Sequence, residues 1–159
     1  MKKILAFVIA ATSLFALASC NKDDEKTVPA AETLAGTYNG TYTLTVMGTS
    51  DEGSAAFVIT KVDDNTITLT TPTAGEGAMS LPSITTPNLT VTKTTVDSKE
   101  VIKASSDKIS GSITVSGEEK TYNFTDLVIV GDGTAVSIGY SLQYGRMPMA
   151  MVFAFTGNK

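Results

Sequence analysis

The sequence predicts an all-β fold, an antiparallel up-and-down barrel of about eight strands. Three observations carry this expectation. Apolar residues alternate with threonine or serine at a period of two along most of the chain, the mark of strands with one buried face. Clusters rich in Gly, Asp, Asn and Ser separate these runs, and most are short enough for hairpins. Beyond the first 19 residues no helical apolar period survives.

Taken in order, strand one places Tyr38, Tyr42, Leu44 and Val46 on one face and Thr37, Asn39, Thr41, Thr43 and Thr45 on the other. β-Branched threonine suits the exposed side of a pleat. Strand two, around Phe57, Val58 and Ile59, has apolar residues on both faces, which leaves its orientation open. Strand three alternates Ile67 and Leu69 with Thr66, Thr68 and Thr70; a loop from Pro72 to Pro87 then leads to Leu89 and Val91 in strand four. Thr94 to Asp107 is a weak stretch, with one short extended piece expected at Val101-Ile102. Ile109, Ile113 and Val115 then alternate with Ser110, Ser112, Thr114 and Ser116. Val136, Ile138, Tyr140 and Leu142 alternate with Ala135, Ser137, Gly139 and Ser141. The last strand is expected to start near Arg146, with Met147, Met149, Met151, Phe153 and Phe155 on one side. The expected turns are Gly48 to Gly53, Asp63-Asp64-Asn65, Ser116 to Glu119, Gly131-Asp132-Gly133 and Tyr144-Gly145-Arg146.

Asp126 interrupts the strand that Tyr122 and Phe124 begin. Continued alternation would turn it inward with Val128 and Val130, at a cost of several kcal/mol for an unpaired carboxylate. A β-bulge near Thr125 would turn it outward and bring Leu127 and Ile129 in. The bulge is the preferred reading because it avoids an uncompensated buried charge.

The N-terminus reads as an export signal over residues 1–19. Lys2 and Lys3 give a positive start, Ile4 to Leu17 an apolar stretch, and Ala18-Ser19 small residues before a cut. The stretch is too short to span a hydrocarbon core of about 30 Å. Leu17-Ala18-Ser19-Cys20 resembles the bacterial lipobox, which implies a lipid-acylated Cys20 and attachment to the membrane through that lipid alone. Several acyl chains anchor stably where one holds weakly, since each buried CH₂ contributes about 0.8 kcal/mol. Residues 20–33 are polar, carry Pro29 and read as a flexible tether. Lys22-Asp23-Asp24-Glu25 resembles the surface-export signal of lipoproteins from the Bacteroidota, which implies a protein facing the cell exterior; the alternative is a merely solvated linker. The barrel domain is then 34–159, close to the commonest domain size.

Composition excludes several kinds of chemistry. Loss of Lys2 and Lys3 with the signal moves the formal charge from −4 to −6. One arginine and scattered lysines build no phosphate-binding stripe, so nucleic acid is not an expected partner. There is no histidine, no tryptophan and one cysteine, which leaves no Ser-His-Asp or Cys-His catalysis, no histidine-based zinc site and no disulfide. No carboxylate pair stands at a spacing suited to acid/base work. Neither an enzyme activity nor a cofactor is expected.

A family resemblance rests on Leu34-Ala35-Gly36-Thr37-Tyr38-Asn39-Gly40, the Lys61 to Thr66 turn and Leu81-Pro82-Ser83-Ile84. In order and spacing these resemble the calycin-like lipoproteins of the Bacteroidota, from about residue 34 to the end. The resemblance implies a lipocalin-like eight-stranded barrel on the outer membrane, and no agreed activity. Gly36-Thr37-Tyr38 is similar to the Gly-x-Trp that opens lipocalins, with tyrosine in place of tryptophan. In an eight-strand meander Gly36 and Arg146 fall at opposite ends, so Arg146 does not cover Tyr38 as the lipocalin arginine covers its tryptophan. The Pro72–Pro87 loop falls at the Arg146 end, where it could act as a lid.

The candidate ligand-binding residues are Tyr42, Tyr140, Met147, Met149 and Met151. Methionines on one strand face would make a soft lining for a small apolar molecule or thioether ligands for haem; filling of a narrow barrel is the plainer reading. The tyrosines offer hydroxyls in a pocket or serve as core residues with a satisfied tip. Asp63-Asp64-Asn65 lacks the remaining ligands of a calcium loop and reads as a tight turn. Two functions stay open, an outer-membrane barrel binding a small apolar ligand and a filled barrel contacting partner proteins at the cell surface. A membrane-spanning barrel is disfavoured by too few aromatics for two girdles.

Overall fold

The computed structural model describes residues 27–75 and 80–159. The expected signal segment, Cys20 and Lys22 to Glu25 lie outside the described residues. A short helix, α1 (Ala30–Leu34), precedes β1 (Gly36–Val46), β2 (Thr49–Asp63), β3 (Thr66–Thr70) and β4 (Leu89–Val96). Then follow β5 (Lys99–Val115), β6 (Glu118–Gly131), β7 (Ala135–Tyr144) and β8 (Met151–Asn158). Each strand pairs antiparallel with the next, and β8 returns to β1, closing the barrel as expected.

The alternation places apolar side chains inside. Tyr38, Phe57, Phe124, Phe155, Ile59, Ile67, Leu69, Leu127, Ile129 and Ile138 are all fully buried. Phe57 and Ile59 face in and Val58 out, which settles the orientation of β2. Threonines and serines cover the outside, the inverse of a barrel that meets lipid with its outer face.

Three turns use paired left-handed residues: Met47-Gly48, Asp97-Ser98 and Ser116-Gly117 all have positive φ. Such turns match the right-handed twist of the strands they join. They shorten two expected turns. Thr49 to Gly53 belongs to β2, and Glu118-Glu119 to β6.

The weak stretch from Thr94 to Asp107 is corrected: it contains the end of β4, the Asp97-Ser98 turn and the start of a 17-residue β5. Two features hid it. Lys99, Lys103 and Lys108 stand on its outer face, Glu100 is exposed at its start, and its inward parity changes between Ala104 and Ile109. The same inversion occurs opposite, in β6, where the β6–β7 register shifts between Thr125 and Val128. Asp126 sits at this bulge with φ 53°, exposed, while Leu127 and Ile129 turn in. The bulge reading of Asp126 therefore holds.

Helix α1 corrects the expectation of a tether through residue 33. Ala30, Ala31 and Leu34 are buried and join the core. A five-residue helix is too short to show a period, and only packing stabilises it. Ala31 N–H donates to Asp64 O at 3.3 Å, and Lys61 Nζ lies 3.1 Å from Glu32. The helix thus closes the end that carries Gly36, the Asp63–Asn65 turn and the C-terminus, here the lower end. The upper end carries Met47-Gly48, Ser116-Gly117, the loop after β3 and the Tyr144–Ala150 connection.

The loop after β3 lies at the upper end with Arg146, as counted. Its described part is paired: Thr71 N–H donates to Ile84 O at 2.9 Å and Thr86 N–H to Leu69 O at 2.8 Å. Ala74, Leu81 and Ile84 join the core cluster.

Candidate functional site

At the lower end a latch joins the two termini of the barrel. Tyr38 Oη donates to Leu34 O at 2.8 Å, holding the last residue of α1. Lys159 lies across Tyr38, with Nζ 5.4 Å from the ring centroid, and donates to Thr33 O at 2.9 Å. Gly36 makes room for it, because a Cβ there would come within 2.5 Å of Lys159 Cε. Arg146 is at the other end, as the meander requires. The cation over the first-strand aromatic is the C-terminal lysine, a residue the sequence reading passed over. Its signal was available, since β8 ends where β1 begins. Burial first, and repulsion from Asp132 second, push the Tyr38 phenol up to about 12. These contacts bind the protein to itself.

Aromatic rings pack against one another inside the barrel. Tyr140 stacks on Phe153 with centroids 5.0 Å apart and planes 17° apart, and meets Phe124 edge-on at 5.1 Å. Phe57 packs on Phe155 at 4.4 Å and edge-on to Tyr140 at 6.4 Å. Burial drives the Tyr140 phenol far above its ordinary value, so it stays neutral throughout the physiological range. Met151 is 1% exposed and part of the same core. Tyr140 and Met151 are therefore both buried in the core.

The other methionines do not share a strand face with Met151. β8 begins at Met151, so Met147 and Met149 lie in the connection before it, and the expected methionine stripe is corrected. Pro148 has no N–H to pair with a neighbouring strand, which keeps this stretch out of the ladder. Met147 is partly buried against the core, whereas Met149 is 38% exposed.

What remains at the upper end is a shallow apolar mouth, formed by the partly buried Tyr42, Val46, Ala55, Ile113 and Met147. Two tyrosines there lie over glycines on the neighbouring strand. A Cβ at Gly53 would meet the Tyr42 ring at 2.7 Å, and one at Gly111 would meet Tyr122 Oη at 2.5 Å. Tyr42 and Met147 are the two candidates that the structure brings to this mouth.

Among the described residues no cluster of histidine, cysteine, aspartate or glutamate could hold a metal ion. The Asp63 turn is closed by Asn65 N–H, which donates to Asp63 Oδ1 at 2.8 Å and holds that carboxyl below its usual range. It is turn chemistry, as the spacing indicated.

No curated protein matches the chain. Among solved structures it is similar to a "putative outer membrane protein" from Bacteroides fragilis NCTC 9343, with TM-score 0.58 and 23% identity. That match covers 84% of this chain but 54% of the other, so the chain spans about half the length of its neighbour. The likeness is one of fold. The model of the calycin-like beta-barrel domain matches residues 34–158, from the end of α1 to the end of β8. With its closed eight-strand meander, the chain belongs to the calycin-like beta-barrel domain family.

Proposed function

We propose that this protein is a lipid-anchored lipoprotein of the outer membrane whose filled barrel is a rigid, non-enzymatic scaffold for contact with a partner at the cell surface. The observation that carries the reading is the packed cluster of Tyr140, Phe153, Phe124, Phe57 and Phe155 buried inside the barrel. An eight-stranded interior is only just wide enough for its own side chains or one small ligand, and here side chains occupy it. The anchor rests on Cys20 and its preceding residues, and the membrane on the family resemblance and the description of the Bacteroides fragilis neighbour. The second reading, capture of a small apolar molecule, has the mouth around Tyr42 and Met147 in its favour.

Native mass spectrometry of the protein purified from its own host tests both parts. The expected species begins at Cys20, carries acyl chains and holds no other molecule. A co-purifying apolar compound, retained until the barrel unfolds, would replace this reading with the second. An unacylated N-terminus would remove the anchor.

A further inference from the structure

We propose that the upper rim of the barrel holds a site for a soft monovalent cation, Cu(I), built from the thioether sulfurs of Met47, Met147 and Met149. The site is at the rim rather than in the interior, and it goes beyond the scaffold reading.

The donor chemistry comes first. Thioethers are neutral, polarisable donors that favour Cu(I) over hard cations such as Mg²⁺. The chain has no histidine and its one cysteine is Cys20, so methionine is the only soft donor within the barrel domain. This donor set is distinct from the histidine, cysteine and carboxylate clusters that the described residues lack. Met151 is sealed in the core at 1% exposure, whereas Met47 is 80% and Met149 38% exposed, and Met147 is partly buried.

Neither packing nor turn chemistry accounts for Met47. It is left-handed, with φ 52°, a conformation that favours glycine, asparagine and aspartate. The other two paired left-handed turns have Asp97 and Ser116 at this position, short polar residues suited to a solvated turn. Met47 instead holds a long apolar side chain in solvent.

The fold brings the three methionines to one part of the rim. β8 lies between β7 and β1, with Leu142 opposite Met151 and Thr45 opposite Val152. Carried one step further, the β1–β8 register sets Val46 beside Met151; the next step sets Met47 beside Ala150, the chain neighbour of Met149. The connection entering β8 is anchored at Met147, whose N–H donates to Tyr144 O at 3.2 Å and whose carbonyl accepts from Gln143 Nε2 at 3.0 Å. It then bends at Pro148 and Met149. Unbranched, flexible methionine side chains adapt to close around an ion from such positions. Asp51 and Glu52, at the start of β2, add negative charge to this rim against the positive charge of Arg146.

The test uses the mature chain, residues 20–159, carrying Cys20→Ser so that no thiol competes, with ¹³C-labelled methionine methyl groups. Silver nitrate in chloride-free buffer is the probe, because Ag(I) shares the charge and softness of Cu(I) and needs no reductant. The methyl signals of Met47, Met147 and Met149 are expected to move together and saturate at about one equivalent, while that of Met151 stays. Met47→Leu, Met147→Leu and Met149→Leu should each weaken silver binding by about tenfold or more. Leucine nearly keeps the volume and removes the sulfur, so unfolding midpoints without silver should stay unchanged. Signals that stay still at millimolar silver, a Met47 signal that stays while the others move, or full affinity in Met149→Leu would overturn the proposal. So would equal movement with Mg²⁺, which a thioether site refuses. These readouts concern the rim alone, so their failure is distinct from failure of the mass-spectrometric test.

Discussion

Tyr38 shows how much one side chain connects. Its ring fills the lower barrel, its hydroxyl holds Leu34 O, and Lys159 lies over its face. Tyr38→Phe keeps the ring and removes the hydrogen bond, so at neutral pH it should cost about 1 kcal/mol in denaturant unfolding. Its pH dependence is more specific. An unfolded tyrosine loses its proton near 10.0, whereas Tyr38 in the barrel keeps it to about 12. The folded chain thus binds the proton more tightly, and stability is complete below pH 10 and declines as pH rises toward 12. Unfolding midpoints measured across that window should fall for the native protein and less steeply for Tyr38→Phe. Tyr140, raised further by burial alone, sustains the residual slope. Equal slopes in the two proteins would show that Tyr38 does not titrate with folding.

At the scale of elements, the barrel depends on two places where ordinary strand chemistry is suspended. The β1–β8 seam is closed by Gly40 opposite Gly157. A Cβ on Gly40 would come within 2.0 Å of Thr156 O, and one on Gly157 within 2.5 Å of Phe155 Cζ. Gly40→Ala must therefore move backbone, and a loss of roughly 3 kcal/mol or failure to close the seam is expected. Gly157→Ala meets the buried Phe155 ring and also Asn39 O at 2.8 Å, so it too must move backbone and should cost a comparable amount. The second place is the β6 bulge. Asp126 is left-handed and exposed, a conformation that aspartate and asparagine accept and a β-branched residue does not. Asp126→Asn should be near neutral, while Asp126→Val should cost about 1–3 kcal/mol. Chemical denaturation of the two variants checks the difference. Equal stability would mean that charge, rather than backbone, governs the site.

For the whole molecule, the packed interior and the closed strand order belong together. With aromatic rings buried against one another inside the barrel, stability comes from their packing. Tyr140→Ala should cost about 3–5 kcal/mol, in the range of large aromatic deletions. The Tyr140–Phe153 stack should give a coupling of about 1 kcal/mol in a double-mutant cycle using leucine at each position. A Tyr140→Ala protein as stable as the native one would show that the space around the ring is not close-packed.

The sequence by itself determined the architecture. A period of two with turn residues at hairpin spacing admits few alternatives, and an acidic bulge position was legible because a buried, unpaired carboxylate is too costly to keep. The Gly36-Thr37-Tyr38 opening was legible too, and its partner Lys159 could have been found from the meander, which ends β8 where β1 begins. Helix α1, the long β5 and the break before Met151 were decided by tertiary structure. Five residues cannot show a helical period, a strand whose inward parity inverts at a bulge has no single alternation, and Met147 and Met149 fall in step with Met151 by count alone. Whether the barrel is open was also beyond the sequence. Alternation says which side chains turn inward, but only the closed register decides whether those rings meet across the axis.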